Sequence, residues 1–374
     1  MPVDKVAASE ASPMYIRALT TTTAFAAIWA LFPYDSANAG TLNVPPRLPI
    51  LVDLGVLPGG SSGDDGYAAA ISADGRVVVG TAAYGTFGRV GFMWTAEKGM
   101  VALDPAPRSR VLAEAAGVSR DGSVIVGWSN ERAFRWTRKS GLVSLGTLPG
   151  FDASFAQAVS ADGKVVVGVC TARRVSSAAF RWTEQTGMVA LPGGDIHAVK
   201  ATSADGKIAY GDERESKSNG IHVIRWDADG NITRFSNSPD VRISNVYGVS
   251  ADGSIVVGSQ LTNHGLRAVV WHSASDVRQL GVLNGGNSSE AEAVNADGTA
   301  IVGQAADGAN ENKVTVFRWT QATGMQPLAQ WIRKSGGDPG PVGTGLGSGI
   351  SADGSSVVGA LRNTHPFIAT VPAP

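Results

Sequence analysis

Two sets of side chains in this 374-residue chain have types and spacing suited to chemistry: seven aspartates at one recurring position, and five histidines. Asp74, Asp121, Asp162, Asp205, Asp252, Asp297 and Asp353 each stand in a Ser-x-Asp-Gly phrase, with Asn295 replacing the serine once. A ring of carboxylates is a calcium-binding chemistry. The same phrase is also turn chemistry, in which Ser and Asp cap the backbone and Gly supplies a positive φ. Because each aspartate recurs with its own turn, and successive repeats are expected to hold these turns well apart, the structural reading is preferred. No cofactor or metal is therefore expected, and calcium is the alternative. His197, His222, His264, His272 and His365 show no metal-ligand spacing. The single cysteine, Cys170, excludes an internal disulfide, a multi-cysteine zinc site and an iron–sulfur cluster. No nucleophile elbow, P-loop or dinucleotide fingerprint occurs in a strand-to-helix context, and Gly343–Gly345 lies in a Gly/Pro-rich loop. No catalytic residue is assigned.

The elements that carry these residues come from an internal repeat. The aspartates are spaced by 47, 41, 43, 47, 45 and 56 residues, so the unit is about 45 residues long, the size of a propeller blade. Each turn is followed by a Val-Val-Gly run. A Phe-Arg-Trp-Thr phrase or variant comes next, with Trp94, Trp136, Trp182, Trp226, Trp271 and Trp319; the seventh copy reads His365-Pro-Phe-Ile368. A Gly-Met/Leu-Val-x-Leu phrase closes most units. In one unit the expected strands are 155–160, 165–168, 178–183 and 188–191. Valine-rich runs bounded by Asp-Gly or Thr-Gly are hairpin signals, and no run of helical period stands out. The tryptophans read as core between sheets, with a carbohydrate-stacking row as the alternative. The arginines before them are expected to face a neighbour or solvent. The predicted fold is all-β, a seven-bladed β-propeller of four-stranded blades. Residues 51–59 match the fourth-strand segment 143–150, so an N-terminal strand is expected to complete the last blade and close the ring, since an open array would expose two edges.

Composition agrees. Gly numbers 47, and charged residues make up only 17% of the chain, as turn-rich blades covered on both faces require. A net charge of −1 gives no global argument for nucleic acid or anionic membrane. Residues 14–39, with Arg17, the apolar stretch 18–32 and Ala37-Asn38-Ala39, read as a secretory signal peptide cleaved before Gly40, and Met14 is a candidate start. Removing 1–39 takes away Lys5 and Arg17 against Asp4, Glu10 and Asp35, leaving a formally neutral domain over 40–374 with no membrane span. The protein is thus expected in the periplasm, outside the cell or at its surface, as a monomer.

The phrases Arg132-Ala-Phe-Arg-Trp-Thr137 and Ala178-Ala-Phe-Arg-Trp-Thr183, with the seven Ser-x-Asp-Gly-x-x-Val-Val-Gly runs, resemble the HAF-repeat family of extracellular bacterial repeat proteins over roughly residues 50–370. That resemblance implies an exported or surface protein, in some members a passenger of an autotransporter barrel; the chain ends at Pro374 without one, so anchoring is not carried over. The family supplies no catalytic residues. Copy four departs with Tyr210 in the valine run.

Loop lengths direct the functional expectation. The first-to-second and third-to-fourth turns are short and uniform, whereas the loops of the other rim vary, and function sits on variable loops held by a rigid scaffold. The candidate ligand rim comprises Asp64, Asp65, Arg173, Arg174, Asp195, His197, Glu290, Trp331 and Arg333, the last two within the longest insertion, 329–349. The leading reading is a binding or adhesion module for a surface ligand, glycan or protein. The alternative is a propeller enzyme, a calcium-dependent lactonase or a polysaccharide-active protein, with Asp64, Asp65, Asp195 and Glu290 reaching the central channel. Acidic and His residues from several repeats converging on that channel would favour the enzyme, and an apolar or mixed-charge variable rim with no convergent carboxylates would favour binding.

Overall fold

The computed structural model describes residues 50–58, 66–84, 88–104, 113–172, 177–215, 220–235, 240–340, 342, 345–361 and 365–371. The chain divides into units 1–45 and 46–374, and the described residues belong to the second. The expected signal segment lies outside them. Among the described residues, twenty-eight strands form five four-stranded sheets and one eight-stranded sheet. Within each four-stranded sheet, neighbours pair antiparallel. The eight-stranded sheet holds two antiparallel runs joined by one parallel contact, Ile221 with Ile243. In the repeat read strand by strand above, the strands are Ala153–Val159, Val166–Thr171, Ser177–Thr183 and Gly187–Ala190, within two or three residues of expectation at each end.

The first strands of successive repeats touch in order, and the last, Gly345–Ile350, touches the first, Tyr67–Ile71. The sheets therefore surround a central channel. The fold is a β-propeller. Its closure is also as expected: the strand Ile50–Asp53 pairs antiparallel with Pro366–Thr370, Ile50 opposite Thr370 and Asp53 opposite Phe367.

The turn aspartates cap their own turns. In repeat five, Asp252 Oδ1 accepts from Ser250 Oγ at 2.7 Å and from the Ser254 N–H at 3.0 Å, while Ser250 Oγ accepts from the Ile255 N–H at 2.9 Å. These donors, the Ser250 hydroxyl first, hold the Asp252 carboxyl down at about 2. Asn295 does the work of the missing serine, its Oδ1 accepting from the Ala300 N–H at 2.9 Å. The turns are not held apart, however. The residue between Ser and Asp donates its N–H to the same residue of the next repeat, from Ala73 through Arg120, Ala161, Ala204, Ala251, Ala296 and Ala352 back to Ala73, at 2.8–3.1 Å. A main-chain belt closes one mouth of the channel rim. It was not readable beforehand because a small x residue carries no signature of a backbone partner 40 residues away.

The core also departs from the expectation that every tryptophan fills it. Phe92, Phe134, Phe180, Phe317 and Phe367, two positions before the Trp or its equivalent, are fully buried. In repeats four and five that position holds Ile224 and Val269, and there Trp226 and Trp271 sink instead. The cause is one shared target. A Cβ on the glycine of the valine run would meet the Phe ring in repeat three (Gly168, Phe180, 2.8 Å) but the Trp ring in repeats four and five (Gly211, Trp226; Gly258, Trp271; both 3.1 Å). One aromatic ring per repeat lies over the glycine, and either residue supplies it. The arginine before Trp crosses to the next repeat: Arg135 Nε donates to the Gly163 carbonyl at 3.1 Å, and Arg181 donates to the carbonyls of Lys207, Asp227 and Ala228.

One helix, Leu328–Lys334, stands in the long insertion read as loop. Leu328, Ala329 and Ile332 bury against Val342, Leu361 and Phe367. Two helical turns are too short to display a period in sequence.

Candidate functional site

All seven first strands carry a β-bulge, at Ala68/Ala70, Ala115/Gly117, Ala156/Ala158, Val199/Ala201, Val246/Gly248, Ala291/Ala293 and Gly347/Gly349. A bulge leaves one residue unpaired and re-aims it. The unpaired residues are Ala69, Ala116, Gln157, Lys200, Tyr247, Glu292 and Ser348, and all seven line the central channel, a cavity of ≈ 230 Å³. The wall is therefore lopsided. Two successive repeats contribute only methyl groups, and the next five contribute polar side chains.

The polar arc extends toward the rim of variable loops. Two residues before each bulge stands a position paired with the residue after the valine-run glycine: Glu290 opposite Gln304, Asn245 opposite Ser259, Ala198 opposite Asp212. Glu290 accepts from Tyr247 Oη of the preceding repeat and from Gln304 Nε2, each at 3.3 Å. The same Gln304 nitrogen lies 3.5 Å from Glu292 Oε1, so one amide bridges two carboxylates. Asp212, only 2% exposed, accepts the Val246 N–H at 2.8 Å. Burial pushes its carboxyl up to about 7 against that hydrogen bond and the nearby Lys200 charge. Burial, then the Glu290 charge, lifts Glu292 to about 7 as well, with Lys200 opposing. Tyr247 is raised by burial and by the charges of Glu290, Glu292 and Asp212. A second cavity of ≈ 220 Å³ opens at the rim over Glu290 and Gln304, beside Val314 and Leu346. Leu346 is 49% exposed.

Three carboxyls, one ammonium and one phenol from three successive repeats thus cluster on one side of the channel: Lys200, Tyr247 and Glu292 line its cavity, Glu290 lines the rim cavity, and Asp212 is buried. They can bind polar ligands, and the two carboxyls near neutrality can give or take a proton at physiological pH. Among the described residues no group of three or more His, Cys, Asp and Glu is arranged to hold a metal ion.

Of the nine rim residues expected from sequence, the structure brings only Glu290 into this cluster. Asp64, Asp65, Arg173 and Arg174 lie outside the described residues. Asp195 accepts from Ser177 Oγ at 2.9 Å and pairs with Arg214 at 3.6 Å. His197 is exposed, and burial of its ring, then Arg214 and Lys200, hold its pKa down. Trp331 lies under the Arg318 guanidinium, 4.8 Å from its ring centroid, which makes it a packing partner of the preceding sheet. Arg333 is exposed at the end of the short helix. Sequence reasoning missed Lys200, Tyr247 and Glu292. A signal was present: within a repeat this uniform, the residue after the Val-Val-Gly run reads Thr81, Trp128, Val169, Asp212, Ser259, Gln304 and Ala360. Variation at this position, from apolar to acidic, sets Asp212 and Gln304 apart from their counterparts in the other repeats.

No family model matches the chain, and no curated protein matches it. Solved structures do resemble it. Oligogalacturonate lyase from Vibrio parahaemolyticus superposes with a TM-score of 0.59 at 12% identity, over 86% of this chain and 93% of that one. An oligogalacturonate lyase in complex with manganese gives 0.58 at 12% identity, over 82% and 88%. A catalytically inactive virginiamycin B lyase from Staphylococcus aureus with quinupristin gives 0.56 at 15% identity, over 86% and 99%. At these identities the shared property is the propeller fold, which hosts unrelated functions. No helix among the described residues is long and apolar enough to cross a membrane.

The buried Asp212 sets a pH dependence of stability. Between its ordinary 3.8 and about 7, the folded chain keeps the proton while the unfolded chain has lost it. Stability therefore falls as pH rises through that window and levels off above it. At ~1.4 kcal/mol per unit, Asp212→Asn, which keeps an acceptor for Val246, should add about 2–4 kcal/mol at pH 8 and flatten the slope, Glu292 leaving a remainder. Urea unfolding at pH 4, 6 and 8 measures this. An Asn variant less stable than the parent at pH 8 would refute it.

Proposed function

We propose that this chain is an exported, seven-bladed β-propeller that binds a small polar ligand in its central channel, a binding module of the HAF-repeat kind. The count of seven is supported by the closed belt of turn hydrogen bonds and by the single parallel contact that splits the eight-stranded sheet in two. Export is supported by the signal-like segment 14–39. The observation that carries the binding reading is the convergence of Lys200, Tyr247 and Glu292 on one arc of the channel, opposite Ala69 and Ala116. Ligand sites combine a concave, preformed surface with a few convergent polar groups.

The full chain, screened with and without calcium against glycans and small metabolites, should yield ligands whose binding is lost in Tyr247→Ala. Ligands indifferent to that substitution but lost in Arg333→Ala would move the site to the outer loops and end this reading. A second reading, acid–base catalysis, is favoured by two carboxyls poised near neutrality. It requires that a bound ligand be turned over and that Glu292→Gln abolish product while retaining binding.

A further inference from the structure

The charges on the polar arc are separated rather than paired. Lys200 and Glu292 occupy the same bulge position two repeats apart, with Tyr247 between them. Lys200 acts electrostatically on both Asp212 and Glu292, yet among the described residues no ion pair within 4.0 Å joins its ammonium to either. Its charge is left facing the cavity. On the other side, Glu290 and Glu292 place two carboxylates on one bridging amide, with too few donors to satisfy four oxygens. The channel cavity thus offers an unpaired cation and the Glu292 carboxyl on either side of Tyr247, with Glu290 beyond Glu292 at the rim cavity. Opposite them stand the methyl groups of Ala69 and Ala116. A cavity of ≈ 230 Å³ has the volume of about eight waters, enough for one small organic molecule.

We propose that the ligand is a small zwitterion of the α-amino-acid class: its carboxylate meets Lys200, its ammonium meets Glu292, and its apolar side chain faces Ala69 and Ala116. A purely cationic ligand leaves Lys200 repelling it, a purely anionic one faces Glu292, and a neutral polyol leaves both protein charges unpaired. Only a molecule with both charges neutralises each group, and an uncompensated charge in a partly desolvated site is the costlier state. This inference rests on the channel reading above and names its ligand.

The test is calorimetric titration of the full chain with L-valine, with isobutylamine and isovalerate as its two single-charge halves, and with glucose as a neutral polyol. L-valine should bind, each half should bind at least about thirtyfold more weakly, and both Lys200→Met and Glu292→Gln should weaken L-valine by a similar factor. Val189→Thr, on an exposed outer strand, should leave affinity unchanged, and unfolding curves of every variant check that the ring is intact. Isobutylamine binding as tightly as L-valine, with Lys200→Met neutral, would overturn the inference in favour of a cation site. Glucose binding lost in Tyr247→Ala, without L-valine binding, would overturn the zwitterion while leaving the channel site standing. Ligands from the broader screen that ignore all three channel substitutions would overturn both.

Discussion

Gly258→Ala should leave the chain largely unfolded at room temperature, although the change adds a single methyl group. A Cβ at Gly258 would lie 1.9 Å from the Asn245 carbonyl oxygen, with the Trp271 ring 3.1 Å away. The first contact is backbone, and it arises from the bulge between Val246 and Gly248 in the paired strand, which presses that carbonyl onto the glycine Cα. Neither side can yield without breaking the bulge or lifting the tryptophan from the core. Overpacking a well-packed site ordinarily costs about 1–3 kcal/mol. Displacement of a strand plus loss of a buried aromatic contact should exceed about 4 kcal/mol, a large share of a domain's total stability. Gly281→Ala is the matched control: its φ is +88° but nothing lies within 4 Å, so only the left-handed strain of about 1–2 kcal/mol applies. Urea unfolding followed by circular dichroism ranks the two. A Gly258→Ala variant that unfolds within about 1 kcal/mol of the parent, the range of an ordinary surface change, would refute this prediction.

Removing the closing strand should have a comparable effect through a different cause. Beyond the pairing of Ile50–Asp53 with Pro366–Thr370, Leu54 donates its N–H to the Pro366 carbonyl at 2.9 Å, and His365 Nδ1 lies 3.0 Å from Asp53 Oδ2. Leu54 and Leu57 are buried in one cluster with Val358 and Ile368. Loss of two buried leucines alone costs roughly 4–10 kcal/mol at about 2–5 each, and it uncovers the Pro366–Thr370 edge. A chain lacking residues 46–58 should lose its cooperative transition or associate through that edge. A synthetic peptide of residues 46–58 should restore it by strand addition. An unchanged unfolding midpoint in the deleted chain would show that the ring does not depend on this clasp.

The repeat made most of the fold legible, because a period of about 45 residues forces each unit to make the same local structure. The Ser-x-Asp-Gly turns needed no tertiary information: Ser250, Asp252 and Gly253 find their partners within five residues. The exchange of Phe for Trp over the valine-run glycine was less legible. The choice between Phe180 and Trp226 as the covering ring depends on what the position two residues earlier leaves empty. The site was nearly illegible. Glu290 was reached only as one acidic residue among several at the rim, and the attention given to long loops singled out Trp331, which packs under Arg318.

Sequence alone thus determined a ring of short strands with its turns and its closing strand, since those follow from local pattern and from the offset between the two chain ends. Tertiary structure alone decided the functional quadrant. A bulge turns one residue in each first strand out of its sheet and toward the axis, and the ring then brings Lys200, Tyr247 and Glu292, about 45 residues apart along the chain, onto neighbouring staves of one channel. Their charges acquire meaning from that proximity. An isolated Lys200 is an ordinary surface cation in sequence; near Asp212 and Glu292, with no ion pair to either among the described residues, it is one half of the ligand site proposed above.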